Sequence, residues 1–300
     1  MSAQRPPSVD PVAAERWEQL VPVEAPWLHE EVARRMEARL QWMVHKPARW
    51  VHWEPLRGGL KAHALLAARY PKSECYMVLA QAEQAQAAHK SIASPWWSAA
   101  RWTGPVVRWG LPPGPVDLMW SNMALHMSSD PVALMAQWAK LVNQDGFLMF
   151  SCLGPDTLRE LRAVYQGQGW PLPTHEFTDM HDLGDMLLHA GFAEPVMDME
   201  RITLTYSSPQ SLLEELRGLG RNVRQGRFQG LRGRGWHRQL QEAMARELPD
   251  PAQGGRLKLT FEIIYGHAFK PAPRMAVSSQ SSISLQQMRG ALGLRQEKKG

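Results

Sequence analysis

The sequence predicts an α/β protein with a mostly parallel sheet that helices cover on both faces. Three apolar segments, residues 74–79, 116–121 and 146–153, have the length of strands, and each precedes a helix-like segment. Strands that are buried on both faces form such continuous apolar runs. Parallel neighbours also need a long crossover, which is usually a helix.

The first half of the chain alternates strands and helices. The segment 50–53 is a short strand before a helix at 61–69, and the strand at 74–79 precedes an alanine-rich helix at 83–89. After the strand at 116–121 comes a helix with Asp130 as N-cap and Pro131 at its first position, where proline is favoured.

In the second half of the chain, strands and helices no longer alternate one by one. After the strand at 146–153, helices are predicted at 156–165, 182–191, 209–219 and 236–248, and long strands at 195–206 and 257–269. We expect these two long strands to form an antiparallel pair at the end of the sheet.

Composition limits the class of protein. The chain has 300 residues, of which 44% are hydrophobic and 21% charged, enough for one domain of about 250 residues with tails. Cys75 and Cys152 both lie in apolar strands, so neither a disulfide framework nor a zinc site is expected. No segment resembles a signal peptide or approaches the roughly 18 apolar residues of a membrane span, which predicts a soluble cytoplasmic protein.

The net charge of +5 and the isoelectric point near 9.4 favour an acidic partner. Residues 217–238 alternate arginines with glycines and are predicted to be a mobile basic loop; the arginines are Arg217, Arg221, Arg224, Arg227, Arg232, Arg234 and Arg238. A nucleic acid is not expected, because Phe228 stands nearly alone as an aromatic in this stretch and no nucleic-acid motif is present. Residues 271–300 are few in large apolar groups and are predicted to be a disordered tail.

Several longer segments resemble one enzyme family. They are "WLHEEVARRMEARL" at 27–40, "VDLMWSNMALHM" at 116–127, "LVNQDGFLMFSCLGPDTLRELR" at 141–162, "HEFTDMHDLGDMLLHAGFAEPVMDMERITLTY" at 175–206 and "FEIIYGHAFKP" at 261–271. Together they resemble the BioC family, the S-adenosylmethionine-dependent O-methyltransferases of early biotin synthesis.

The resemblance implies a seven-stranded class I methyltransferase sheet, which is Rossmann-like, over residues 27–270, preceded by an N-terminal arm at 1–26. It also implies methyl transfer from S-adenosylmethionine to the free carboxyl of malonyl-acyl carrier protein. A carboxylate that attacks a sulfonium methyl needs alignment and desolvation more than acid/base chemistry, so no catalytic dyad is expected. Nor do the histidines show metal-ligand spacing.

The expected cofactor loop departs from the family pattern. Family members have an acid and three glycines in the order D-x-G-x-G-x-G, and the matching positions here are Glu54, Leu56, Gly58 and Leu60. Gly59 offers backbone freedom beside them. Glu54, Gly58 and Gly59 are therefore candidate cofactor residues, whereas Leu56 and Leu60 mark lost contacts.

Two more cofactor contacts are altered. Leu79 stands where the family has the aspartate that binds the ribose, and no acid occurs between residue 96 and Asp117, where the family places one near the adenine. Trp96 and Trp97 could fill that space. Weak or absent binding of S-adenosylmethionine is expected, which leaves two hypotheses: a methyltransferase with an altered loop, or a non-catalytic relative that binds an acyl carrier or another protein.

The remaining candidates follow strands. Asn122 and His126 come after the strand at 116–121, where open α/β sheets bind ligands. Asp156 or Thr157 is expected to be a helix N-cap, and the backbone amides there could meet a substrate carboxylate.

The basic loop supplies a candidate docking surface. Arg227, Arg232 and Arg234 are the candidates for docking an acidic acyl carrier protein, and a solvated surface segment is the alternative.

Overall fold

The structure is a computed structural model, and it describes residues 9–20, 24–79 and 106–272. The predicted helix at 83–89, Trp96, Trp97 and the predicted tail from residue 273 lie outside the described residues. None of the described helices has both the length and the apolar character that crossing a bilayer requires.

The described strands form one mixed sheet. The strands are β1 (Arg49–Trp53), β2 (Glu74–Val78), β3 (Val106–Trp109), β4 (Val116–Ser121), β5 (Val142–Leu153), β6 (Ala193–Tyr206), β7 (Pro249–Asp250) and β8 (Arg256–Phe269). The order is β3-β2-β1-β4-β5-β8-β6, and the two-residue β7 pairs only with β8. Neighbours from β3 to β5 are parallel, while β8 is antiparallel to both β5 and β6. The predicted fold class and the antiparallel final pair are confirmed; β3 was not predicted.

Nine helices surround this sheet in the described residues. They are α1 (Pro11–Glu18), α2 (Trp27–Arg39), α3 (Pro55–Gly58), α4 (Leu60–Arg69), α5 (Pro131–Leu141), α6 (Arg159–Gly167), α7 (Met180–His189), α8 (Pro209–Leu219) and α9 (Arg234–Glu247). The predicted start of α5 is confirmed, because the Asp130 side chain accepts a hydrogen bond from the Ala133 amide and Pro131 is the first helical residue.

Each face of the sheet buries its own apolar core, as successive strand residues point to opposite sides. Trp50 and Trp120 lie in the core beneath α2 and α4, whereas Val51 and Met119 lie in the core on the other face, beneath α5. The strands are therefore apolar throughout because both faces are covered.

The predicted N-cap of α6 was wrong. The helix begins at Arg159, and the residue before it, Leu158, has a left-handed backbone with φ of 56°. Thr157 is unavailable for capping because its hydroxyl exchanges 3.1 Å hydrogen bonds with the backbone of Glu262 on β8. The Glu262 carboxylate also accepts from the Asp156 amide at 3.0 Å, so β8 fixes this loop.

The basic loop is shorter than predicted and is attached at its first half. It spans residues 220–233, because α8 continues to Leu219 and α9 begins at Arg234. Val223 is fully buried, and its carbonyl accepts a 2.8 Å hydrogen bond from the Asp10 amide. Arg227 pairs with the Asp10 carboxylate. The expectation of a free, mobile segment therefore fails for this half of the loop.

Buried histidines make the stability of the fold depend on pH. Burial lowers the pKa of both His29 and His63 to about 4, compared with 6.5 for an exposed imidazole. The unfolded chain therefore binds more protons than the folded one between these values, and stability falls as the pH falls from 6.5 towards 4.

We expect His29 to contribute about 3 kcal/mol to this loss, from the difference of roughly 2.5 pKa units. Urea unfolding of the wild type and His29→Gln at several pH values between 4 and 7 measures it. The glutamine can still donate to the Arg57 carbonyl, so the variant should show a flatter pH dependence. His189→Gln, at an exposed histidine, is the matched control. Equal slopes for the wild type and His29→Gln would contradict the assignment.

Gly266 on β8 lies where the sheet has no room for a side chain. A Cβ at this position would lie 2.6 Å from Cζ of Phe150 and 2.9 Å from Sδ of Met197. We expect Gly266→Ala to lower the free energy of unfolding by about 1–3 kcal/mol through overpacking. Gly235→Ala, in α9 with open space around it, should be neutral or stabilising. Chemical denaturation checks both, and an unchanged midpoint for Gly266→Ala would contradict this packing.

Candidate functional site

The candidate site lies at the carboxyl ends of β1, β4 and β5, where parallel sheets of this kind bind ligands. It has two halves. One is the loop after β1, and the other is a cavity beyond the ends of β4 and β5.

The loop after β1 is a compact helical turn. Glu54 is buried with a left-handed backbone, φ of 53°, and the amides of Gly58 and Gly59 donate to the carbonyls of Glu54 and Pro55 at 2.8 and 3.0 Å. Leu56 is buried inside this turn. The turn's last amides are therefore bonded within the chain, in contrast to an open glycine-rich loop that offers them to a ligand.

Asn122 ties this loop to its surroundings. Its side chain is fully buried, and the amide nitrogen donates to the carbonyls of Gly58 and, at 2.8 Å, His29. Its side-chain oxygen accepts from the Ser151 hydroxyl at 2.6 Å. Asn122, which was predicted to line the pocket, thus uses its side-chain groups in hydrogen bonds to α2, the loop and β5.

Arg57 anchors α1 over the same loop. Its guanidinium lies 3.7 Å from the centre of the Trp17 ring and donates to the carbonyls of Trp17, at 2.8 Å, and Leu20. Burial lowers the pKa of Arg57, and nearby Glu54 and Glu18 raise it. The N-terminal arm is therefore joined to the loop by a buried arginine.

A carboxylate from α2 fills the space beside Gly59. The Gly59 backbone has φ of 109°, and a Cβ there would lie 2.6 Å from Oε2 of Glu30. The other oxygen, Oε1, accepts from the Lys61 amide in the first turn of α4 at 3.3 Å. A Cβ on Gly58 would similarly lie 2.9 Å from the Asn122 carbonyl oxygen.

S-adenosylmethionine, the cofactor implied by the resemblance, fits this loop poorly as it is folded. Protein atoms occupy the space beside both glycines. Leu79 follows β2 and is half-buried, and its side chain has no group that can bond a ribose hydroxyl. Leu60 is the half-buried first residue of α4.

The loop at residues 154–158 is occupied by structural contacts. The Asp156 carboxylate pairs with Arg201 at 2.7 Å, and Thr157 is fully buried against Glu262. The Asp156 amide donates to Glu262, and the Thr157 amide donates to Gly154 at 3.0 Å. Both amides are therefore bonded within the chain, and neither is left for a substrate carboxylate.

A cavity of about 290 Å³ opens beyond β4 and β5, between α6 and α8. Most of its walls are apolar side chains, namely Met127, Leu153, Leu158, Leu161, Leu213, Leu216, Leu219 and Phe261. His126 and His175 also line it, and His175 Nε2 donates to the His126 carbonyl at 2.7 Å. Burial lowers the pKa of both histidines, which favours neutral rings.

Arginines border the cavity. Exposed Arg217 and Arg221 belong to its rim. Of the three predicted docking arginines, Arg227 is paired with Asp10, and Arg232 stacks 4.0 Å from the Trp236 ring centre. Arg234 is exposed and forms no ion pair with any residue that the structure describes.

The sequence reasoning missed Glu30, His29 and Arg57. The available signal was the pair of polar residues inside "WLHEEV" and the arginine inside "PLRGG". The sequence shows that charged residues lie near a predicted ligand loop, but the direction in which their side chains point depends on how α2 packs.

The relatives found for this chain share one protein name. No model of a protein family matches the chain. The malonyl-[acyl-carrier protein] O-methyltransferase of Gallionella capsiferriformans is 38% identical over 259 residues, covering 83% of this chain and 86% of the relative. The protein of the same name from Laribacter hongkongensis is 36% identical, covering 82% and 84%.

Solved structures agree on the fold. The YcgJ protein from Bacillus subtilis matches with a TM-score of 0.50 at 13% identity, covering 81% of this chain and 99% of that one. A proposed methyltransferase from Bacillus halodurans matches with a TM-score of 0.53 at 11% identity, covering 81% and 100%. The sheet is that of class I methyltransferases, and by its sequence the chain belongs to the malonyl-[acyl-carrier protein] O-methyltransferase family.

Proposed function

We propose that the chain binds an acyl group attached to an acyl carrier protein and methylates its free carboxyl, the reaction after which its relatives are named. The observation that carries this proposal is the cavity beyond β4 and β5. Class I methyltransferases use S-adenosylmethionine. The loop after β1 is the half of the site whose residues differ from those expected to bind this cofactor.

The cavity has the chemistry of an acyl-binding site. Its leucines and Phe261 suit the apolar part of an acyl thioester and the arm that carries it, and they exclude water from the carboxyl. The neutral rings of His126 and His175 add no positive charge inside. Positive charge comes instead from Arg217 and Arg221 at the rim, where an anionic substrate would enter.

Exposed arginines at the rim and at the start of α9 suit an acidic carrier protein. Arg217, Arg221 and Arg234 are exposed on α8, on the adjoining loop and at the start of α9. Electrostatic complementarity of this kind speeds association and fixes orientation more than it adds affinity. A reducing cytoplasm, in which the buried thiols of Cys75 and Cys152 stay free, is the proposed compartment.

The direct test uses malonyl-acyl carrier protein and S-adenosylmethionine with a radiolabelled methyl group. The expected product is a labelled, base-labile methyl ester on the carrier protein. Carrier binding without any ester would favour the alternative function, a non-catalytic carrier-binding module. Absence of both ester formation and carrier binding would contradict the proposal.

Filling the cavity should block the acyl group. We expect Leu216→Trp to weaken binding of malonyl-acyl carrier protein by about tenfold, because the larger ring takes the space of the acyl arm. Leu188→Trp, at an exposed position on α7, is the control. Fluorescence anisotropy of a labelled carrier measures both, and equal affinities for the two variants would remove the cavity from the proposal.

Reversing the free arginine should weaken carrier docking in a salt-dependent way. Arg234→Glu is expected to lower the association rate several-fold at low salt and to matter less as salt screens the charges. Arg246→Glu, 12 residues or about 18 Å further along α9, is the matched control. Stopped-flow association at several salt concentrations is the measurement. An unchanged rate for Arg234→Glu would place the docking surface elsewhere.

A further inference from the structure

We propose that Glu30 occupies the place of a ligand's carboxylate in the loop after β1, so that this chain prefers adenosine-type ligands without a carboxylate to those that carry one. The inference depends on the proposed function only for the class of ligand, an S-adenosyl compound or its products. It concerns the loop after β1, where the sequence departs from the family pattern.

The first step is the position of the carboxylate. The start of a helix that follows the first strand of such a sheet attracts the anionic group of the ligand, because its amides and its dipole face that group. Here Oε1 of Glu30 accepts from the Lys61 amide of α4 at 3.3 Å. Its Oε2 is buried beside Gly59 without a hydrogen-bond partner among the described residues. The protein thus supplies its own anion where the ligand's anion is expected.

The second step is that the backbone holds Glu30 in this place. Glu30 lies in the first turn of α2, directly after His29. The His29 carbonyl accepts from the Asn122 side chain at 2.8 Å, and His29 Nδ1 donates to the Arg57 carbonyl at 2.8 Å. The residue before Glu30 is therefore bonded both to the end of β4 and to the loop itself, which fixes where the carboxylate can reach.

The third step is the balance of charge. Burial raises the pKa of Glu30, while the amide and ammonium of Lys61 and the amides of Ala62 and Leu60 lower it. Of these groups, the side chain of Lys61 supplies the positive charge, and it is exposed. The ionised carboxylate would repel the only anionic group of S-adenosylmethionine, its amino-acid carboxylate, and compete with it for the same amides.

A ligand without that carboxylate avoids both penalties. Methylthioadenosine keeps the adenosine and the sulfur of the cofactor and lacks the amino-acid end altogether. S-adenosylhomocysteine keeps the amino-acid end and is otherwise similar. The pair therefore isolates the contribution of the carboxylate-bearing end.

The experiment is calorimetric titration of the full chain with each ligand in mildly alkaline buffer, which keeps Glu30 ionised. The wild type is expected to bind methylthioadenosine more tightly than S-adenosylhomocysteine. Glu30→Gln should tighten S-adenosylhomocysteine by about tenfold and change methylthioadenosine by less than about threefold, since only the former places an anion near residue 30. Glu30→Ser is the second variant should the glutamine lower the melting temperature.

Glu31→Gln is the matched control on the same helix. Its carboxylate pairs with Arg34 and Arg35, each at 2.7 Å, and it should leave the ratio of the two affinities unchanged. A wild type that binds S-adenosylhomocysteine as tightly as methylthioadenosine would overturn the inference. So would an unchanged ratio in both Glu30 variants, or no binding of either ligand by any variant. Carrier binding, measured separately, reports on the proposed function independently of these outcomes.

Discussion

The buried side chain of Asn122 is the contact on which the arrangement of the site depends. A buried amide must satisfy both its donors and its acceptor, and this one does so by bonding three different elements: α2 through His29, the loop through Gly58, and β5 through Ser151. Gly58 has to be glycine for this approach, because a Cβ there would lie 2.9 Å from the Asn122 carbonyl oxygen. Once α2 and the loop are fixed, Glu30 and Arg57 have their places.

The two halves of the candidate site differ in how much space the protein itself fills. Beyond β1 the chain fills its own loop with a helical turn, the Glu30 carboxylate and the buried Leu56. Beyond β4 and β5 it leaves a cavity of about 290 Å³. The half that would meet the acyl acceptor therefore keeps room for a ligand, while the half that would meet the amino-acid end of the cofactor is taken up by protein.

The N-terminal arm is joined to the loop after β1 and to the basic loop by buried or paired arginines. Arg57 holds the end of α1 over the loop, and Arg227 holds its beginning through Asp10. On the apolar side of α1, Trp17 and Ala14 pack with Met127 and Val223. Met127 follows β4, and Val223 lies in the basic loop. Arg227, which the sequence analysis placed among the docking arginines, and Arg57 thus serve as internal ties. The positive charge left for a partner lies on Arg217, Arg221 and Arg234.

The sequence by itself determined the fold class and most of the element order, and it predicted where the candidate site lies. Apolar strands of limited length, Asp130 with Pro131, and the two long final strands are local patterns that fix these features. It also located the altered loop through Leu56, Leu60 and Leu79. Only the tertiary structure decided what fills that loop, since Glu30 and Lys61 are 31 residues apart and meet only when α2 packs beside α4. It likewise decided that Thr157 bonds Glu262 instead of capping α6, because the hydroxyl's partner comes from a strand 105 residues away. Periodicity reports which face of an element is apolar, whereas a contact between two distant polar groups depends on how the elements pack.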